Sequence, residues 1–419
     1  MLEAAADEAV FLWELMCSKR ISDKKAVILR GFSDLARPFF RKPVWLISDR
    51  IDKADDNGEV FFRYVVQNHR QEINAFFILS PQAAEYSEVK KTGKVVRPYS
   101  WRHKLLALIA DWSISSQTDN IFRDPFWDYG QPYRDMLRKT RFVFLQHGVL
   151  ATDCSRWLNK DRQQFDGFVT SSVRETESIL HGNYGYTDEQ VWMTGLTRFD
   201  RLYDKREKLI TIMPTWRRYL GIRENAETGE WILKPGFEES GYVKFYRQLM
   251  GNAELREAAE NYGYSLQIKL HPTFQCHMDK FHFGEDVNVA GRDISYAEIY
   301  NRSSLIVTDY SSAIHDFIYL KKPVVYCQFD YEEFFSGEHM CEKGEFDYEA
   351  DGYGEVTYNI EDAVRTIIQY MKNNCETHEP YTTRILKAFP DRSPDHCERL
   401  YQKIRSKDIC TCSRAEDEH

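Results

Sequence analysis

Two histidines stand directly after short apolar runs: His147 in "FVFLQHGV" and His271 in "LQIKLHP". An imidazole titrates near neutral pH, so one held at a strand end can act as a general base or acid. A third run, "LIVTDYSSAIHDF", puts Thr308, Asp309, Ser311 and Ser312 where a strand pattern turns into a helical one, with Asp316 just beyond. The first N–H groups of a helix are unpaired and lie at its positive end, so such a turn can cradle an anion. Ser311 or Ser312 can cap the helix, which leaves the other hydroxyl for a phosphate oxygen. Thr215, Trp216, Arg217 and Arg218 close "ITIMPTWRR", and Lys269 precedes His271. "LISDRIDKADDNGE" supplies Asp49, Arg50, Asn57 and Glu59, and "TGLTRFD" supplies Gly195, Arg198 and Asp200. A lone strand-end histidine is more often packed than catalytic, and a serine pair is more often a simple cap. Two histidines with arginines and a helix start nearby supply a base, cations and an anion cradle together.

Familiar nucleotide and metal signatures are missing. The chain has no D-x-D, no G-x-x-x-x-G-K-[ST] and no G-x-G-x-x-G, so ATPase and dinucleotide-dehydrogenase readings lose their main support. His271, His277 and His282 lie close together, but their spacing fits no standard ligand set, and loop histidines are the better reading. No metal ligand and no cofactor are assigned.

These residues need elements to hold them. Strand patterns cover 44–48, 73–80, 94–96, 112–115, 141–146 and 168–171, with helical patterns at 59–68 and 101–110 between them. A second series starts near 208, with strands ending at 215 and 271, a short one at 287–290, and others at 305–309 and 323–328. Helices are expected at 295–301, 312–320, 361–373 and 393–406. Strands alternate with helices twice over, which predicts an α/β chain with two Rossmann-like parallel-sheet lobes facing a central cleft. The expected division is a helical segment at 1–40, a first lobe at 41–205, a second at 206–395, and a helix with a polar tail at 396–419.

The bulk properties narrow the class. Lys plus Arg number 56 against 65 Asp plus Glu, a net charge of −9, which disfavours a nucleic-acid partner. No apolar run approaches a membrane span, and the acidic start "MLEAAADEAVFLWELMC" does not read as a signal peptide. Nine scattered cysteines without paired spacing fit a reducing cytoplasm. Cys410 and Cys412 fall in what reads as an unstructured tail.

The ordered set "HGV…WLNK", "TGLTRFDRL", "MPTWR", "KLHP" and "VTDYSSAIHDFIYLKKPVVY" resembles the CDP-glycerol glycerophosphotransferase family of teichoic-acid and capsule polymerases and primases. The likeness extends over residues 43–375, including "SDRIDKADDNGEVFFRY" and "GEFDYEADGYGEV". It implies a GT-B fold and transfer of a polyol phosphate from a CDP-activated donor to a hydroxyl of a lipid-linked or capsular polymer, with CMP leaving. It also implies that His147 and His271 are the catalytic histidines of the two lobes. Thr215, Trp216, Arg217, Lys269, Thr308, Asp309, Ser311 and Ser312 would bind the donor, and Asp49, Arg50, Asn57, Glu59, Arg198 and Asp316 would line the cleft. Many glycerol-phosphate polymerases read His-Gly-Thr where this chain has His147-Gly148-Val149, the variant associated with capsule-type members. The reaction is expected to need no metal. The enzyme is expected in the cytoplasm at the inner face of the bacterial membrane, and a homo-oligomer is allowed. Trp101, Arg102, Lys104, Leu105, Leu108 and Ile109 would suit an interfacial helix, as would Phe126, Trp127, Arg134, Arg138 and Lys139, with a core-packed helix the better reading for the first. A GT-B glycosyltransferase using a nucleotide sugar, an epimerase of related fold and a non-catalytic nucleotide-binding protein remain the alternatives. Which histidine is the base is open at this level.

Overall fold

The computed structural model describes residues 2–126, 131–150, 153–224, 230–336 and 346–416, and the side chains of residues 2–8 and 409–416 lie outside that description. Trp127 and Cys341 therefore fall outside it, as do the side chains of Cys410 and Cys412, whose backbone is helical and not the expected unstructured tail; Cys17, Cys154, Cys276, Cys327, Cys375 and Cys397 are free thiols. The chain forms two compact units. The first comprises Met1–His147, Ser155–Asp200 and Ser393–His419; the second comprises Gly148–Cys154 and Arg201–Arg392.

The first unit is built on seven strands: β1 (Val44–Ser48), β2 (Asn74–Ile78), β3 (Lys94–Val96), β4 (Trp112–Ser115), β5 (Arg141–Phe144), β6 (Gly167–Val169) and β7 (Val191–Trp192). They pair in the order β3-β2-β1-β4-β5-β6-β7, all parallel. β1 is buried at all five positions, as expected of a parallel strand covered on both faces. Helices α1 (Leu2–Cys17) and α2 (Ile21–Ala36) belong to this unit, and Arg30 of α2 grips the Asp135 carboxylate and the Pro132 carbonyl. The long helix His396–Glu416 returns to the same unit. There Trp112 donates to Asp408, and Tyr401 stacks on His69 and donates to Glu72.

The second unit holds β8 (Leu209–Ile212), a hairpin of β9 (Gly221–Glu224) and β10 (Trp231–Leu233), then β11 (Ser265–Ile268), β12 (Asn288–Val289), β13 (Leu305–Thr308), β14 (Val324–Cys327) and β15 (Gly354–Thr357). Six of them form a parallel sheet ordered β12-β11-β8-β13-β14-β15. Helices Gly241–Gly251, Ala253–Tyr262 and Ile360–Lys372 pack their apolar faces on it, with Tyr246, Leu249, Leu255 and Ile367 in its core. Neither the hairpin nor β15 carries a strong strand pattern. β9 exposes three of its four residues, and β15 reads Gly-Glu-Val-Thr, so little in either sequence marks it as a strand.

Each sheet is doubly wound and reverses its strand order once, between β1 and β4 in the first and between β8 and β13 in the second. Ligands of such sheets sit beyond the carboxyl ends of the strands at that reversal. In both units the reversal is bridged by a buried aspartate. Asp49, after β1, accepts from the Ser116 hydroxyl after β4, and Asp309, after β13, accepts from the Thr215 N–H after β8.

Candidate active site

In the first unit, α3 (Asn57–Asn68) starts directly over the end of β1. Asp49 closes its first turn by accepting from the N–H groups of Asp56, Gly58 and Glu59. This requires close approach: a Cβ on Gly58 would lie 2.2 Å from the Ser48 carbonyl oxygen. Burial and the neighbouring Asp56 charge push the Asp49 acid upward, against the pull of the Ser116 hydroxyl and the Gly58 and Glu59 amides. The positive end of α3 is thus filled by carboxylates of the protein itself.

Asp56 points the other way, to His147. Its Oδ2 lies 2.5 Å from His147 Nδ1, and its Oδ1 takes a hydrogen bond of 2.6 Å from Arg198. Arg198 also donates to the His147 carbonyl at 2.7 Å. Burial would raise the Asp56 acid, but Arg198 and His147 outweigh it and hold the carboxyl below its usual range. Asp56 accepts at Nδ1, so the proton sits there and the Nε2 lone pair is left outward on a ring that is 62% exposed. The ring is aimed by a strained turn, because Gln146 has φ of 65° and is buried. Asn57 pins that turn by donating to the Gln146 carbonyl at 2.8 Å, while its own side-chain oxygen accepts from the Arg198 N–H at 3.1 Å. Gly195, at φ +77°, lets the segment before Arg198 pass His396; a Cβ there would sit 2.1 Å from that ring.

Asp49, Asn57, Arg198 and His147 therefore come together, with the first two acting as braces. Glu59 is buried and paired with Arg63 within its own helix, and Arg50 is exposed beside the end of β1. Gly148, which follows His147, makes no close backbone approach. A Cβ there would meet nothing within 4 Å, and the left-handed residue is Gln146. Asp56 was missed.

In the second unit Arg217 is fully buried, and this corrects its reading as a donor-binding cation. Its guanidinium pairs with Asp330 at 2.7 Å and Asp309 at 2.9 Å, donates to the Thr215 carbonyl, and lies within 5.1 Å of the Tyr242, Phe334 and Tyr310 ring centres. Burial alone would lower its pKa, but the two carboxylates raise it well above the ordinary value. Tyr246 donates to Asp309, and Tyr219 and Tyr310 donate to Asp330. Asp309 and Thr308 are likewise inward: Thr308 gives its hydroxyl to the Met213 carbonyl at 2.6 Å. Lys269 is 4% exposed and ties down the Gly291 and Ile294 carbonyls. Asp316 is buried. The expected helix at 312–320 is a 3-10 turn, Ser312–Ile314, followed by the short helix His315–Tyr319.

What remains at the strand ends is a smaller polar set. Ser311 caps the turn by accepting from the Ala313 N–H, and Ser312 is exposed. The Thr215 hydroxyl is out of solvent and has no hydrogen-bond partner. His271 accepts at Nδ1 from the Thr273 N–H at 3.2 Å, which assigns the ring proton to Nε2, and its ring lies 6.0 Å from that of Trp216 at 21°. The two histidines are thus held in opposite tautomers.

The chain is similar to several known proteins. The chain is 35% identical over 386 residues to the minor teichoic acid biosynthesis protein GgaB of Bacillus subtilis (strain 168), covering 92% of this chain and 42% of that one. It is 25% identical over 247 residues to the teichoic acid glycerol-phosphate transferase of Staphylococcus aureus (strain NCTC 8325 / PS 47), covering 53% of this chain and 58% of that one. The chain thus spans about two fifths of the first relative's length, and the matched part of the second is under two thirds of it. Among solved structures, the wall teichoic acid polymerase TagF shares the fold with a TM-score of 0.63 at 13% identity, over 92% of this chain and 94% of that one. A putative UDP-N-acetylglucosamine 2-epimerase from Listeria monocytogenes follows at 0.52 and 11%, over 87% and 96%. The family described as CDP-glycerol:poly(glycerophosphate) glycerophosphotransferase matches residues 31–406, and the chain belongs to it.

Proposed function

We propose that this protein transfers a polyol phosphate, glycerol phosphate or a close relative, from a CDP-activated donor to a hydroxyl of a teichoic-acid-like or capsular polymer and releases CMP. The observation that carries this reading is the Asp56–His147 pair, an imidazole with its proton fixed on one nitrogen and its lone pair presented on the other, in a member of this family. Two relatives act in teichoic acid synthesis by name, and TagF has a structure obtained with CDPG.

An acceptor alcohol ionises far above neutral pH and needs a base at the moment of attack. His147 Nε2 takes its proton as the oxygen attacks the phosphorus that bears the polyol. The bond from that phosphorus to the bridging oxygen breaks, and CMP carries the electron pair away. Such base catalysis is worth roughly 10²–10⁴ in rate. Asp56 fixes the tautomer and offsets the imidazolium charge. His271, with its proton on Nε2, donates to the diphosphate and does not compete for the role of base. Ser312 and Thr215 supply hydroxyls to phosphate oxygens. We assign the reaction no metal and no cofactor.

The membrane is proposed as the place where the acceptor is met, and the support is in α1, α2 and the 3-10 turn Arg37–Phe39 after them. Trp13, Ile21, Ile28, Phe32, Leu35 and Phe39 are each at least 60% exposed. Helix Trp101–Ile109 instead buries its apolar side and exposes Trp101. No helix among the described residues is long and apolar enough to cross a membrane. Incubation with CDP-glycerol and CDP-ribitol, with and without a chelator and with UDP-sugars as controls, tests the reading through CMP release. CMP from neither CDP-polyol in the presence of acceptor would refute it.

A further inference from the structure

The first unit has a polar cavity at the end of the sheet opposite the dyad. It has a volume of about 920 Å³ and is lined by Ser113, Phe142, Asp166 and Gln190, each at or just before the start of β4, β5, β6 or β7. His147 lies past the other end of β5, and four residues of strand separate the two ends by roughly 13 Å.

Its lining carries four cations, Arg123, Arg134, Arg138 and Lys160, against three carboxylates, Asp124, Asp161 and Asp166. Arg123 stands over the Phe142 and Phe165 rings at 4.2 and 5.3 Å, and its Nε and one Nη are shut off from solvent with no hydrogen-bond partner. Aromatic faces attract a guanidinium but satisfy none of its N–H groups. Burying such donors unpaired is costly, and structures rarely retain it without a reason. Arg134 and Arg138 line the same cavity from the exposed side of helix Arg134–Leu137 and the residue after it. Lys160 is held there by the Gln190 amide oxygen. Two of the carboxylates present are engaged by backbone: Asp166 accepts from the Phe142 N–H and Asp124 from the Phe126 N–H. Burial also draws the Arg123 cation down to about 10, against the weaker pull of Tyr186 and the Asp166 charge.

We propose that this cavity is an anion-binding site for a phosphate ester of a small polyol, with Arg123 at its base and Arg134 and Arg138 at its mouth. The volume is larger than an inorganic phosphate needs, and the Gln131 and Gln164 side chains in the lining suit hydroxyl groups. The site is distinct from the dyad and does not depend on the reaction assigned above.

Calorimetric titration of the full chain with glycerol 3-phosphate, inorganic phosphate and phosphatidylglycerol vesicles tests the proposal. Glycerol 3-phosphate is expected to bind saturably, and inorganic phosphate to compete for the same site more weakly. Arg134→Ser/Arg138→Ser and Arg123→Met should each weaken the ester at least tenfold, whereas His147→Ala should leave it unchanged. Arg123→Met keeps the ring stack without stranded donors, so it is expected to melt no lower than wild type, and the ester should raise the wild-type melting temperature but not the variant's. Equal ester affinity in wild type and both cavity variants would overturn the site, because the ligand would then be held elsewhere. So would no binding of the soluble ester, or binding confined to vesicles.

Discussion

In the proposed reaction the pair Asp56–His147 turns a common residue type into a directed base. Without Asp56 the imidazole proton is free to occupy Nε2, where it blocks proton abstraction. Asp56→Asn is therefore expected to cut turnover by about 10²–10⁴ while changing the donor KM little. A merely structural aspartate would not alter the tautomer, so the nitrogen-15 shifts of His147 decide: the variant should lose the Nδ1–H signature. The same carboxyl carries a stability prediction. Its folded pKa is depressed, so its contribution is complete above the unfolded value near 3.9 and is lost as pH falls through the lower folded value. Asp56→Asn should narrow the wild-type advantage in denaturant midpoint below about pH 4 and leave it intact at pH 7. At the phosphate end, Ser312→Ala and Thr215→Val should raise the donor KM severalfold, with little loss of stability, as measured by initial rates and melting. His147, Arg198 and Asn57 were legible in the sequence because each follows or opens a recognisable run. Asp56 was not, because it is one of three aspartates within 52–56, and its partner lies 91 residues away. Only the folded register selects it.

At the scale of elements, the strand reversals do the positioning. Arg217 was taken for a ligand because arginines at strand ends often face anions. Its real partners, Asp309 and Asp330, are 92 and 113 residues distant (by position), and burial of all three follows from the sheet order rather than from local pattern. Removing one member leaves uncompensated buried charge, so Arg217→Met should cost about 3–5 kcal/mol by denaturant unfolding. A ligand-facing arginine would instead leave stability nearly unchanged and raise the donor KM. Strands with unbroken apolar runs, such as β1, β8 and β13, were found from sequence because burial on both faces leaves no other reading. The helix after Ser312 was overestimated, since the apolar periodicity at 312–320 marks burial and not helix length; six of those nine residues are buried.

For the molecule as a whole, the family spans residues 31–406, so both units lie within it, while α1 and most of α2 lie before its start. Those helices expose Trp13, Ile21, Ile28, Phe32 and Leu35, a feature hidden in sequence because their spacing reads like any amphipathic pair. Trp13→Ser/Phe32→Ser/Leu35→Ser is expected to abolish pelleting with phosphatidylglycerol vesicles and to spare transfer to a soluble acceptor; unchanged pelleting would remove the membrane role of these helices. The account as a whole rests on His147 as the base. The direct measurement is single-turnover CMP release from CDP-glycerol with acceptor present, in chelator, for wild type and His147→Ala. The account predicts full activity of the wild type without metal and a loss of at least about 10²-fold in the variant, with donor affinity retained. Near-normal release by His147→Ala, or a wild type silenced by the chelator and restored by magnesium, would contradict it.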